Sequence, residues 1–273
     1  MTNTTELLGR IAAALENSLP SALKGADWLA HPAYVWEGGH VRAVATLEAP
    51  QLDLMRGIDA QKVAVVENVL RLASGSAAHD MLLWGARGMG KSALLRAAVR
   101  SAQQARPASI ALVQAAPDAG LAGLLRELRS VERQFLVFLD DLGFDAGSGD
   151  EPRRLRSWLE GGVEARPKNV RLAVTSNRRA IVERHLAEQD DPINSRDVID
   201  DRLALADRFG LSLGFHNCSQ DDYLAIVAGY AAHYCLAATE ADALGWAKRR
   251  GARSGRVAWQ FITELAGRAG QAL

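Results

Sequence analysis

Residues 85–92 read Gly85-Ala86-Arg87-Gly88-Met89-Gly90-Lys91-Ser92. Every fixed position of the phosphate-binding pattern G-x-x-x-x-G-K-[ST] is met. Upstream, Met81-Leu82-Leu83-Trp84 is a short apolar run suited to a buried strand. Downstream, Ala93 to Val99 is rich in helix formers. Strand, glycine loop and helix is the order that phosphate binding requires. Glycines let backbone N–H groups turn inward around phosphate oxygens, where a Cβ would clash. The following helix points its positive dipole end at the same anion. Lys91 adds a compact charge for the outer phosphates, and the Ser92 hydroxyl can ligate Mg²⁺. The expected nucleotide-binding segment is therefore Gly85, Ala86, Arg87, Gly88, Met89, Gly90, Lys91, Ser92 and Ala93.

Outward from the loop, strands and helices alternate. Strands are predicted at 109–115, 135–139, 170–175 and 211–215, in addition to 81–84. Helices are predicted at 61–73, 120–131 and 153–164, from apolar residues spaced on one face. Alternation of this kind predicts a parallel sheet covered on both faces, with ligands at the carboxyl ends of its strands. Beyond Cys218 the pattern is all helical, over 221–236, 240–250 and 255–269. Before residue 50, amphipathic helices are predicted at 5–17 and 19–29. Pro32 and Gly38-Gly39 suggest irregular chain, with a candidate strand at 41–47. Trp28, Tyr34 and Trp36 are expected to anchor this segment to the main domain. The expected divisions are 1–50, 51–217 and 218–273.

A second constellation follows the loop by about fifty residues. Phe135-Leu136-Val137-Phe138-Leu139-Asp140-Asp141 is an apolar strand ending in two carboxylates, a Walker B layout. Asp140 is suited to hold Mg²⁺ through its waters, and Asp141 to orient or deprotonate an attacking water. The next strand ends in Thr175-Ser176-Asn177. The Asn177 amide there is suited to sense a γ-phosphate or the lytic water.

In order and spacing these motifs resemble the AAA+ ATPase superfamily. Within it the chain resembles the bacterial ATP-binding proteins grouped as domain of unknown function 815. The resemblance runs through LLWGARGMGKS (82–92), FLDDLGF (138–144), LEGGVEARPKNVRLAVTSNRR (159–179), LADRFGLSL (205–213) and SGRVAWQF (254–261); PAYVWE (32–37) also fits. It implies an α/β P-loop NTPase: an αβα sandwich with a five-stranded parallel sheet, a C-terminal helical lid and a short N-terminal extension. It also implies ATP and Mg²⁺ as cofactors. The implied activity is hydrolysis at subunit interfaces of a ring or helical homo-oligomer that remodels a protein or nucleic acid.

The same resemblance assigns further residues. Arg208 lies where related ATPases carry the arginine finger, with Arg196 and Arg202 as alternatives. Arg256 matches sensor 2, which contacts the nucleotide from the lid. The Leu54–Asp59 stretch, including Ile58, lies where related proteins close over the base. Many AAA+ enzymes have Glu where Asp141 stands. The shorter carboxylate leaves open a second reading, a loader or adaptor switch with little turnover.

Composition narrows the field. The 273 residues are 48% hydrophobic and 23% charged, with 32 basic and 32 acidic side chains. Zero net charge provides no global field for nucleic acid or an anionic membrane. The local runs Arg153, Arg154, Arg156 and Lys248, Arg249, Arg250, Arg253 are either solvated helix faces or phosphate contacts. Cys218 and Cys235 lack metal-ligand spacing and read as reduced thiols. No apolar stretch approaches the ~18 residues of a membrane span, and no leader pattern is visible at residue 1. The expected location is the cytoplasm.

Overall fold

The computed structural model describes residues 27–116, 120–142, 159, 166–177 and 207–273. The expected helix at 5–17, all of that at 153–164 but Leu159, most of that at 19–29, and Arg196 and Arg202 lie outside these residues.

The strands are β1 (Ala33–Glu37), β2 (His40–Val44), β3 (Met81–Gly85), β4 (Ile110–Ala115), β5 (Gln134–Leu139), β6 (Val170–Ser176) and β7 (Leu211–Phe215). They form one sheet in the order β2-β1-β4-β5-β6-β3-β7. All pairs are parallel except β1 with β2. Among the described residues the sheet therefore has seven strands, not the five expected. The two further strands come from the segment before residue 50: β2 lies at the candidate strand of 41–47, one residue earlier in start, whereas β1 falls in chain expected to be irregular. Gly38 and Gly39, with φ of 57° and 81°, form a two-residue turn joining Glu37 to His40. Two successive positive φ angles match the twist of a tight hairpin, and Gly-Gly supplies them without steric cost. β1 then extends the parallel sheet beside β4. Trp28, Tyr34 and Trp36 are buried as a result.

Six helices are described: α1 (Asp59–Ala73), α2 (Lys91–Ala105), α3 (Leu121–Leu128), α4 (Gln220–His233), α5 (Glu240–Arg250) and α6 (Gly255–Arg268). The central strands are buried on both faces, so each feeds two cores. Leu136 and Phe138 pack with α1 and α2, whereas Phe135, Val137 and Leu139 pack with α3, Trp28, Tyr34 and Trp36. This accounts for their unbroken apolar sequence. Tyr223, Ala247, Val257 and Phe261 of the last three helices join the first core with Met55, Ile58 and Met89. The lid is thus packed on the strand-and-loop unit by the same apolar burial that holds the sheet together.

Caps fix where the lid helices start. Ser219 and Asp222 form a capping box on α4, Thr239 accepts from the Asp242 N–H, and Ser254 accepts from the Val257 N–H. Arg133 ties the segment before β1 to β4. Its buried guanidinium donates to the carbonyls of Trp28, Leu29, His31 and Ile110 at 2.7–3.3 Å. Asp80 joins the amino ends of β6 and β3: it accepts from the Leu172 N–H at 2.8 Å and pairs with Arg166 at 2.6 Å.

Candidate nucleotide-binding site

The site lies at the carboxyl ends of β3, β5 and β6, which are adjacent in the sheet. The loop leaves β3 at Gly85 and enters α2 at Lys91. Ala86 stays tied to the neighbouring strand, donating its N–H to the Phe215 carbonyl at 2.8 Å. Gly88, at φ 76°, marks the closest approach of the lid. A Cβ there would stand 2.8 Å from the Ser254 hydroxyl and would need a left-handed φ, so a larger residue would be strained and would have to displace Ser254. The Arg256 N–H donates to the Gly88 carbonyl at 3.1 Å. Met55 and Ile58 cover the other side of the loop, with the Met55 methyl against Gly90.

Six side chains converge here. The Lys91 ammonium is buried and donates to the Gly85 carbonyl (2.8 Å), the Ala86 carbonyl (2.9 Å) and the Asn177 side-chain oxygen (3.1 Å). These three acceptors use all three of its N–H bonds. Burial lowers its pKa to about 8; Asp141 and Asp140 oppose that shift, and the Arg87 and Arg256 charges add to it. The Ser92 hydroxyl donates to Asp140 Oδ1 at 2.8 Å. Asn177 donates to Asp141 Oδ1, and Arg87 lies 3.6 Å from Asp141 Oδ2.

Sequence reading missed the residue that organises the carboxylates. Thr175 is buried at the end of β6. Its hydroxyl donates to Asp140 Oδ1 at 2.6 Å and accepts from the Asp141 N–H at 2.9 Å. That second bond holds Asp141 in the left-handed region, at φ 53°, which is unusual outside glycine. The polar residues ending an otherwise apolar strand were the available signal. Sequence alone did not show that Thr175 reaches across to β5.

A cleft of about 750 Å³ opens between the loop and the lid. Ala86, Arg87, Met89 and Asn177 line one wall; Leu244, Lys248 and Arg253 line the other. Its volume suits a nucleotide-sized ligand. The donor set fits one as well: loop amides and Lys91 for phosphates, and the Ser92 and Asp140 oxygens for a hard cation that keeps most of its waters. Among the described residues no group of three His, Cys, Asp or Glu is poised to hold a metal. The lid's basic run divides. Lys248 and Arg253 face the cleft, while Arg249 and Arg250 stack on Trp246.

Arg208 is elsewhere. β7 runs parallel to β3 with Leu211 opposite Met81, so the turn before β7 lies at the sheet's amino-terminal end. Gly210 there abuts His79, just before β3, and Phe209 is buried. The length of β3, about 13 Å at a strand's rise per residue, separates that end from Gly85.

The family model for Protein of unknown function (DUF815) matches residues 29–269. The chain belongs to this family. No curated protein matches it. Among solved structures, a point variant of Thermotoga maritima RuvB is 19% identical, covering 82% of this chain and 68% of its own, with a TM-score of 0.53. The same organism's RuvB, a Holliday junction branch migration motor, gives 18% identity over the same shares and a TM-score of 0.51. Aeropyrum pernix Orc1, solved in complex with DNA, gives 15% identity over 83% of this chain and 66% of its own, with a TM-score of 0.56. This DUF815 chain therefore has the α/β fold of the AAA+ P-loop ATPases, with a mostly parallel sheet. No helix among its described residues is long and apolar enough to cross a membrane.

Proposed function

We propose that this DUF815 protein binds Mg²⁺–ATP in the cleft between loop and lid and hydrolyses it at subunit interfaces to remodel a macromolecular partner. The contact of Ser92 with Asp140, 2.8 Å apart and braced by Thr175, carries the reading. It brings the loop hydroxyl and the Walker B carboxylate together as a cation site, with Lys91 beside it.

In this reading Lys91 and the loop amides hold phosphates, and Ser92 and Asp140 hold Mg²⁺. Asp141 orients and deprotonates water, and Asn177 reports the γ-phosphate. Arg256 approaches from the lid, and Ile58 flanks the base. When bound, the metal supplies charge neutralisation at the phosphates. Arg208 acts on the neighbouring subunit's nucleotide; its position across the sheet from its own loop supports action in trans. The homo-oligomer is a ring or helix. The partner is a protein or nucleic acid, and the likeness to RuvB, a Holliday junction branch migration motor, and to Orc1, solved in complex with DNA, supports nucleic acid. The cytoplasm is the proposed location.

ATP turnover per protomer, measured with Mg²⁺ over a wide range of protein concentration, tests this. Specific activity should rise with concentration. Flat, near-zero turnover alongside ATP binding favours the second reading, a loader or adaptor switch. One observation supports that alternative: Asp141 is the shorter carboxylate, and both its oxygens are engaged, by Asn177 and Arg87.

A further inference from the structure

We propose that the Arg87 side chain is a positioning residue that distinguishes a nucleoside triphosphate from a diphosphate by exchanging Asp141 for the terminal phosphate. This rests on the nucleotide reading of the cleft, which itself gives Arg87 only a backbone role in the loop.

Four side chains form a connected series in the site. Arg87 faces Asp141, Asp141 accepts from Asn177, and Asn177 accepts from Lys91. Asp141 has little freedom to leave this series, because its N–H is held by Thr175 and its backbone lies at φ 53°. Its carboxylate therefore faces the loop. Outer phosphates held by Lys91 and Ser92 would add negative charge beside it. Like charges in so small a space repel unless a cation lies between them.

Arg87 is the cation placed to do this. It lines the cleft together with Asn177. Its side chain is 73% exposed, and its contact with Asp141, at 3.6 Å, is longer than a tight charge-assisted hydrogen bond. Such an exposed pair is cheap to break. Five N–H donors in a planar fork suit it to a phosphate as well as to a carboxylate. Lys91 differs: it is buried, and it holds the Gly85 and Ala86 carbonyls and Asn177 rather than a carboxylate. Only a terminal phosphate gives Arg87 a partner better than Asp141. With Arg87 withdrawn to it, one Asp141 oxygen is released to work on water.

The test is the affinity of wild type, Arg87→Gln, Arg87→Lys and the Arg87→Gln/Asp141→Asn double variant for ADP and for ATPγS, both with Mg²⁺, by calorimetry. Arg87→Gln should weaken ATPγS about tenfold, the scale of one charged hydrogen bond. ADP should change by less than about twofold, as for a screened surface charge. Arg87→Lys should recover part of the loss. In the Asp141→Asn background, where no carboxylate repels the phosphate, the penalty of Arg87→Gln should shrink. Equal weakening of both nucleotides, or of neither, overturns the proposal and leaves the nucleotide reading intact. A wild-type protein that binds neither ligand overturns both. The melting temperature of Arg87→Gln should match wild type, because the side chain is exposed.

Discussion

The backbone N–H of Arg256, at the start of α6, donates to the carbonyl of Gly88 in the phosphate loop at 3.1 Å. Lid and loop are therefore coupled through backbone, at a point where the Ser254 hydroxyl leaves no room for a Cβ. A rearrangement of the loop around phosphates would reach the lid through this contact.

Gly88→Ala should disrupt that coupling. The residue would need a left-handed φ and would press a methyl onto Ser254. A cost of about 1–3 kcal/mol is expected for such strain. The chemical denaturation midpoint should fall, and nucleotide affinity should fall with it. An unchanged midpoint would mean that the lid yields freely.

Nucleotide affinity should depend on pH through Lys91. Its pKa in the free protein is lowered to about 8, chiefly by burial, and bound phosphates favour the charged form. Well below that pKa the ammonium is already protonated, and Lys91 adds no pH dependence. Above about pH 8, binding must take up a proton, and affinity should fall by up to about tenfold per pH unit. Calorimetry on the alkaline side of the pKa, in two buffers of different ionisation enthalpy, would detect the uptake. Lys91→Ala should abolish binding and this dependence together.

Arg208→Ala should keep nucleotide binding and lose turnover. Mixing it with Lys91→Ala should restore activity, because each variant supplies what the other lacks across an interface. Two inactive variants that stay inactive when mixed would remove the trans role.

Arg133→Met should be among the most damaging substitutions outside the site. The carbonyl oxygens of Trp28, Leu29 and His31 lose the Arg133 donor, while that of Ile110 keeps the Gln103 amide. The loss follows from buried carbonyls left without a partner, each costing about 1–3 kcal/mol. Urea unfolding measures it, and Trp28 fluorescence would report release of that segment.

The two thiols should react differently. Burial pushes the Cys218 thiol up to about 11, with Asp222 adding to the shift, whereas Cys235 is exposed. Iodoacetamide under mildly alkaline conditions should modify Cys235 and spare Cys218; mass spectrometry identifies the labelled site. Fast labelling of Cys218 would mean that the lid opens readily.

The phosphate loop, the Asp140–Asp141 pair, Asn177 and the α/β alternation were legible in the sequence. Each is local: a fixed spacing of glycines and lysine, or an apolar run of strand length ending in polar residues. The five central and far-edge strands, β3 to β7, and the three lid helices follow from the same periodicities. β1 was not legible as a sheet member, because the few residues between Pro32 and Gly38 carry too little pattern. Its assignment depends on pairing with β4, where Ala33 meets Leu112 from a distant part of the chain. Thr175 acquired its role only when β6 lay beside β5, and Arg87 only when the loop folded back toward Asp141. Arg133 gives no local signal at all; its partners Trp28 and His31 lie far upstream. Backbone propensity and motif spacing act over a few residues, so the order of amino acids was enough to say which chemical groups are present and which elements carry them. Tertiary structure alone decided which groups meet, because strand order and lid packing are set by burial summed over the whole chain.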